Sequence, residues 1–312
     1  MTDVAIQARQ LDKTFGKVRA VQGLNLEVPR SRIYGFLGPN GSGKTTAIRM
    51  LCGLLTPTAG EINVLGYSIP DEAEALRLKV GYMTQKFSLF EDLTVAENLD
   101  FMADIYTLGR KLKHQRTGLA TERYELSRLL KQRAGTLSGG QKQRLALAAC
   151  TLHAPDLLFL DEPTSAVDPE NRRSFWEALF DLVGEGTTIL VSTHYMDEAE
   201  RCHSLAILDK GSLVAEGSPE ELQRGISASI VLVESDQPRK VGKLLEQETF
   251  VDSTAQVGST LRVMVTSNHQ DPEKSVAHAI RQAGLSLMSC KQASPSLEDV
   301  FVAATRARKT RT

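Results

Sequence analysis

Three short stretches hold the residues that could do chemistry. Gly38-Pro39-Asn40-Gly41-Ser42-Gly43-Lys44-Thr45 is a glycine-rich loop that ends in a lysine and a threonine. Gly38, Gly41 and Gly43 let the backbone turn successive N–H groups inward on phosphate oxygens. Lys44 then brings a point charge to a β,γ-phosphate pair, and Thr45 offers a hydroxyl to Mg2+. Asn40, Ser42 and Thr46 complete the residues expected to line those phosphates. A second stretch, Leu157-Leu158-Phe159-Leu160-Asp161-Glu162, is an apolar run ending in two carboxylates. Paired acids closing a buried strand are costly unless they act at its exposed carboxyl end. Asp161 is expected in a Mg2+ shell, and Glu162 to polarise an attacking water. An acidic strand exit is common by itself; the upstream loop gives this one its meaning. The third stretch is Leu137-Ser138-Gly139-Gly140-Gln141. Ser138 and the N–H groups of Gly139 and Gly140 open a helix, which makes a second place for an anion. One triphosphate does not readily use both helix starts of one chain if they point at it from opposite sides. The pattern fits two copies facing each other, each ATP held by the loop of one and the Ser138 segment of the other. Taken alone, the segment is a helix cap after a loop.

These residues need elements to position them. Val4–Ala8 and Leu24–Val28 alternate like half-buried strands, and Ile33–Leu37 is a short apolar strand running into the glycine-rich loop. Helical spacing follows from Thr45 to Leu55, so the loop lies between strand and helix, as a phosphate loop requires. From about Ser88 to Thr136 the sequence turns charged and helical, with Thr94 and Glu97 spaced as a capping box. This stretch reads as a helical subdomain inserted in an α/β core. A further helix starts at Gly140. Strands return at Leu157–Leu160, Thr188–Ser192 and Leu205–Leu208, with a helix opened by Asp168 and Pro169 between the first two. This alternation predicts a largely parallel sheet covered by helices. Ser218-Pro219 starts one more helix. From about residue 225 the order is β-α-β-β-α-β: strands at 230–233, 250–256, 261–265 and 285–290, a helix at 241–247, and one capped by Asp271 and ending near Gly284. That order matches a small ferredoxin-like unit, followed by a last helix at 296–305. The expected division is a first domain over residues 1–224 and an accessory domain over 225–312.

Composition narrows the class. The chain has 312 residues, 41% of them hydrophobic, and a formal net charge of −1, which suits one large and one small globular domain and gives no reason to expect nucleic-acid binding. No apolar stretch approaches the roughly 20 residues that span a bilayer, and the first ten residues lack a signal-peptide core. The four cysteines, Cys52, Cys150, Cys202 and Cys290, lack metal-ligand spacing and read as free thiols of a reducing compartment. A basic tail of Arg306, Arg308, Lys309 and Arg311 reads as a solvated end.

The three stretches in this order resemble the nucleotide-binding subunit of an ATP-binding cassette (ABC) transporter, over about residues 4 to 222. The resemblance implies a P-loop NTPase ABC cassette with a helical subdomain, plus the small C-terminal α+β domain. It also implies roles for further residues. Phe15 stands where the family places an aromatic that stacks on adenine, with Phe where Tyr is frequent; an ordinary core Phe is the plainer alternative. Gln85 matches the glutamine that reaches Mg2+ and senses the membrane partner. Ser165-Ala166-Val167-Asp168 matches the loop that touches the opposite subunit, and Asp168 also serves as a helix cap. His194 matches the γ-phosphate histidine. Every expected catalytic position is filled, so the implied protein is an active ATPase using ATP and Mg2+.

The resemblance further implies a cycle in which two ATP molecules close two copies into a sandwich and hydrolysis reopens it, driving a separately encoded membrane permease through the helical insert. Phe36–Gly41, Phe90–Leu99 and Ser296–Phe301 resemble bacterial ABC-2-type export ATPases, a group that includes the daunorubicin-type drug exporters. Export at the cytoplasmic face of the bacterial inner membrane is therefore the expectation. The alternatives are an importer ATPase and a soluble, non-transport ABC ATPase. The second would call for two cassettes or a long coiled coil, and neither pattern occurs here.

Overall fold

Alternating apolar residues build the first sheet. In β1 (Val4–Phe15) and β2 (Val18–Pro29), Ile6, Ala8, Leu11, Leu24, Leu26 and Val28 turn inward. With β4 (Ala59–Val64) and β5 (Tyr67–Ile69) these strands form an antiparallel sheet in the order β2-β1-β4-β5. The computed structural model describes residues 3–165, 167–266 and 269–309. Ala166 of the expected subunit-facing loop and Arg311 of the basic tail lie outside the described residues, as do the side chains of Arg308 and Lys309.

The second sheet carries the site. Its order is β10 (Ser212–Gly217), β9 (Ser204–Asp209), β3 (Ile33–Leu37), β8 (Thr188–Thr193), β7 (Leu157–Asp161) and β6 (Val80–Met83). All neighbours are parallel except β10, which pairs antiparallel with β9. Central strands β3, β7 and β8 are buried along their whole length, as continuous apolar runs under helices on both faces must be. Helix α1 (Lys44–Leu51) sits between the two sheets, and its Ile48 and Leu51 share one core with Ile6, Leu24, Phe36 and Phe159. The opposite face is covered by α6 (Pro169–Gly184), which buries Phe175, Trp176, Leu179 and Leu182.

Between β5 and β6 lies the short helix α2 (Ala73–Arg77). The helical subdomain holds α3 (Val95–Ile105) and α4 (Arg110–Arg123), followed by two 3-10 turns and then α5 (Gly139–Thr151). The Thr94–Glu97 capping box is present. Helix α1 stops at Leu51 and does not reach Leu55: Gly53 takes a left-handed φ of 70° and turns the chain, which leaves Leu54 exposed. Strands β4, β5 and β6 and helix α2 are additions to the sequence reading.

The chain divides into two compact units, Met1–Ser218 and Pro219–Thr312. Helix α7 (Met196–Ala199) belongs to the first. The second opens with α8 (Pro219–Arg224), which packs on α11 (Leu297–Lys309), whereas the sequence reading carried the first domain to residue 224. It continues with β11 (Ala228–Glu234), α9 (Pro238–Leu245), β12 (Val251–Val257), β13 (Thr260–Thr266), α10 (Pro272–Gln282) and β14 (Ser289–Ala293). The antiparallel order β12-β13-β11-β14 is that of a ferredoxin-like unit. Two expectations are corrected here. The last strand starts at Ser289, after a loop through 285–288, and Asp271 makes no cap bond because its backbone is left-handed (φ 52°) and its carboxylate pairs with Lys274. Arg262 forms a two-pronged pair with Asp299, which fastens α11 to β13. Cys52, Cys150 and Cys202 are buried and Cys290 is half-buried. Burial pushes the thiols of Cys52 and Cys150 up to about 12, raises that of Cys202 as well, and lifts Cys290 to about 11.

Candidate functional site

The carboxyl ends of β3, β7 and β8 meet at one point, and the loops leaving them supply the site. After β3 the backbone curls through Gly41 (φ 80°) and Gly43 (φ 102°) into α1. Gly43 is required twice over: its φ suits glycine, and a Cβ there would stand 2.5 Å from the Ala20 carbonyl. Lys44, only 4% exposed, folds back so that Nζ donates to the Gly38 carbonyl (2.7 Å) and the Pro39 carbonyl (3.2 Å). Ser42 is 2% exposed and its Oγ has no partner, so a buried hydroxyl faces the loop interior unsatisfied.

Strand β7 delivers the two acids. Asp161 Oδ1 accepts from Thr45 Oγ1 (3.0 Å) and from Ser192 Oγ (2.7 Å). Ser192 in turn accepts the Glu162 N–H at 3.0 Å. Glu162 has a left-handed backbone (φ 46°) and is 7% exposed. Its carboxylate gathers three groups: Lys44 Nζ lies 3.1 Å from Oε1, while Gln85 Nε2 (3.0 Å) and His194 Nδ1 (3.3 Å) approach Oε2. Burying a carboxylate and an ammonium costs several kcal/mol each unless they are paired and hydrogen-bonded. Glu162 and Lys44 meet that condition through each other and through the loop carbonyls.

Lys44, Thr45, Asp161, Glu162, Gln85 and His194 thus come together in one cluster. Phe15, the Ser138 segment and Asp168 share no hydrogen bond or ion pair with it among the described residues. Phe15 ends β1 with 49% of its surface exposed and Lys13 Nζ 5.1 Å from the ring centroid, which excludes the core reading. Ser138 caps α5 in a full capping box, accepting from Gln141 N–H (3.3 Å) while Gln141 Oε1 takes the Ser138 N–H (2.9 Å). Leu137 is buried beneath it, and Gly140 packs so closely on Asn171 that a Cβ would lie 2.6 Å away. Asp168 caps α6 by accepting from the Asn171 N–H (3.1 Å), and its hydrogen bonds from Asn171 hold the carboxyl below its usual range.

Sequence reasoning passed over Ser192 and Glu198. Glu198, on α7, is 1% exposed; Oε2 accepts from Thr193 Oγ1 (2.7 Å), and Oε1 accepts a short bond from Thr164 Oγ1. In the sequence it is one acid among several in Met196-Asp197-Glu198-Ala199-Glu200, and nothing in that run marks the buried one.

A nucleoside triphosphate with Mg2+ fits this donor set. The loop offers a buried ammonium and an orphan hydroxyl. Thr45 and Asp161 supply two hard oxygen ligands already in contact, and no group of three or more His, Cys, Asp or Glu able to hold a metal occurs among the described residues. A Mg2+ ion is ordinarily held by one or two carboxylates together with its phosphates.

Comparison with known proteins places the chain in a family. The family model described as ABC transporter matches residues 21–165. Over 221 residues the chain is 43% identical to the probable multidrug ABC transporter ATP-binding protein YbhF of Escherichia coli (strain K12). That match covers 71% of the chain and 38% of YbhF, so the chain spans well under half of that relative's length. With the daunorubicin resistance ATP-binding protein DrrA3 of Streptomyces coeruleorubidus it shares 34% identity over 306 residues, 97% of the chain and 96% of the relative. Among solved structures it is similar to the dimeric post-hydrolysis ATP-binding cassette MJ0796 bound to ADP and Pi, at a TM-score of 0.63 and 26% identity, over 68% of this chain and 98% of that one. No helix among the described residues is long and apolar enough to cross a membrane. The chain belongs to the ABC transporter ATP-binding proteins, a family of ATP-hydrolysing cassettes.

Proposed function

We propose that this chain is the ATPase subunit of a bacterial ABC exporter, binding ATP between two copies of itself and coupling hydrolysis to efflux through a separately encoded membrane permease. The observation that carries the reading is Glu162, whose carboxylate lies at once on Lys44, Gln85 and His194. Lys44 grips the β,γ-phosphates, displacing its own contact with Glu162 and freeing that carboxylate to take a proton from water. His194 holds the γ-phosphate end, and Thr45, Gln85 and Asp161 would hold Mg2+. That ion would supply positive charge to offset the charge on the phosphates. Phe15 stacks on adenine. Ser138, Gly139, Gly140 and Gln141 cap the triphosphate of the facing copy, and the segment to Asp168 touches that copy.

Export is supported by the names of the relatives, one a probable multidrug transporter protein and the other a daunorubicin resistance protein, and by the alignment with the latter across both units. The site for the permease is the 470 Å3 groove between the Gln85–Phe90 loop, α3 and α5, where Phe90, Phe101 and Ile105 stand exposed. It suits a short amphipathic helix from the membrane subunit at the cytoplasmic face. The C-terminal unit stabilises the dimer or regulates it.

Glu162→Gln tests the core of this. Turnover should fall at least 100-fold, and ATP should bind more tightly than to the parent, because the γ-phosphate no longer competes with a carboxylate for Lys44. ATP-dependent dimers should accumulate in size-exclusion chromatography. Turnover at the parent rate would remove Glu162 as the base.

A further inference from the structure

We propose that Glu198 is a positioning residue for ATP hydrolysis, one buried carboxylate that fixes the distance between Glu162 and His194. The inference rests on the reading of Glu162 as the base and goes past it, to what holds that base in place.

The geometry is that of a clamp. Glu162 and His194 leave neighbouring strands, β7 and β8, and each is followed by irregular chain. Their side chains meet at 3.3 Å, and the pairing of β7 with β8 reaches only as far as the Glu162 N–H on Ser192, two residues short of His194. Glu198 touches both exits. Through Oε2 it takes the hydroxyl of Thr193, immediately before His194, at 2.7 Å. The same hydroxyl accepts the N–H of Tyr195, immediately after His194, at 3.0 Å, so both neighbours of the histidine are referred to one carboxylate. Through Oε1 Glu198 takes the hydroxyl of Thr164, which follows Glu162 by one Pro-containing step.

The charge has a use beyond two neutral hydrogen bonds. Arg172 of α6 lies with Nε 3.5 Å from Glu198 Oε1, and its Nη1 is 3.5 Å from Asp197. Its guanidinium stacks over the Tyr195 ring at 4.5 Å, and Nη2 donates to the Val167 carbonyl at 3.4 Å. Tyr195 OH donates to the Ser165 carbonyl at 3.4 Å. The clamp is thus tied to both described flanks of the stretch that leads to Asp168. A buried carboxylate that accepts two hydroxyl bonds beside a guanidinium is tightly held, and removing one partner costs more than the bond itself. Displacing either exit by a fraction of an ångström separates base from histidine, and misplacement on the scale of 1 Å costs about 100-fold in rate.

The test is steady-state ATP turnover of the full chain, with affinity for a non-hydrolysable ATP analogue measured alongside. Glu198→Gln keeps the shape but cannot accept from both threonines and pair with Arg172. It should lower kcat at least tenfold while KM and analogue affinity stay within about twofold. In a Glu162→Gln background the same change should add less than a twofold loss, because it acts through the missing base. Parent-level kcat in Glu198→Gln, or equal losses of kcat and analogue binding, overturns the proposal. A full tenfold loss on top of Glu162→Gln does so too. Should Glu198→Gln fail to fold, Thr193→Val decides: it leaves the carboxylate in place and cuts its link to the chain on both sides of His194, the bond to Glu198 and the one from the Tyr195 N–H. Loss of kcat with retained binding supports the clamp, and unchanged kcat sinks it. Full turnover in Glu162→Gln alone would instead indict the base assignment.

Discussion

Two helices of the first unit begin at glycine-rich turns, and they are built in opposite ways. Helix α1 starts inside the molecule. Gly43 has no side-chain cap, Lys44 is buried, and the side chains of the first turn reach carbonyls and carboxylates at the exits of two strands, β3 and β7. Helix α5 starts at the surface. Ser138 and Gln141 satisfy each other in a capping box, and both Ser138 and Gly139 are exposed. The first start has its electrostatic work arranged within one chain. The second is complete as local structure and offers its outward face to whatever lies beyond. That asymmetry is what a nucleotide shared between two copies calls for: one half of the grip is deep and charged, the other shallow and neutral.

The strongest way to break the comparison is Lys44→Ala. It should weaken ATP binding at least 100-fold, measured by calorimetry or a fluorescent ATP analogue; unchanged affinity would contradict the phosphate-loop assignment. Next is Ser138→Arg, which puts a long cation on the exposed start. Turnover and ATP-dependent dimerisation should fall more than about 30-fold while the single chain keeps its ATP affinity. If the isolated chain loses ATP binding instead, both starts serve one nucleotide and the contrast collapses. A third probe concerns the far end of α5, where His153 stacks on Tyr106 at 3.6 Å and its ring Nε2 meets the Val80 carbonyl at 3.2 Å. Burial lowers His153 to about 4. A histidine depressed on folding binds fewer protons than it does unfolded, so its stability is intact above about 6.5 and drains away as pH falls toward 4. At pH 5 the parent should have lost about 2 kcal/mol that His153→Phe retains, read from urea melts at the two pH values. The smallest effect is at Phe15. Its exposure predicts no loss of stability in Phe15→Ala and an ATP affinity lower by about fivefold, in line with ~1 kcal/mol for one stacking contact. Phe15→Tyr should bind as the parent does.

The sequence carried the parts of the molecule where local chemistry and fold agree. The strand-loop-helix around Lys44, the capping box at Thr94, the Asp168-Pro169 helix start and the β-α-β-β-α-β order are each set by a few neighbouring residues. What it did not show depends on contacts far apart in the chain. Strand β4, Ala59–Val64, buries only Ile62 and Val64, because its other residues face solvent at the side of the first sheet, so its alternation is too faint to read. The sequence pattern starts the last strand four residues early because Leu285 and Leu287 look like strand residues, yet they pack on the C-terminal core from a loop. The site shows the same division. Lys44, Asp161 and Glu162 announce themselves by motif, whereas Ser192 and Glu198 matter only because β7 and β8 lie side by side.

The four thiols divide in a way that bears on how the protein is studied. Three are sealed in the first unit with pKa values far above neutrality, and the half-buried fourth, Cys290, sits in the second. A maleimide dye added to the native chain therefore attaches, slowly, to the C-terminal unit alone. Without any engineering, that single fluorophore would report on whether this unit changes its surroundings as ATP is bound and turned over.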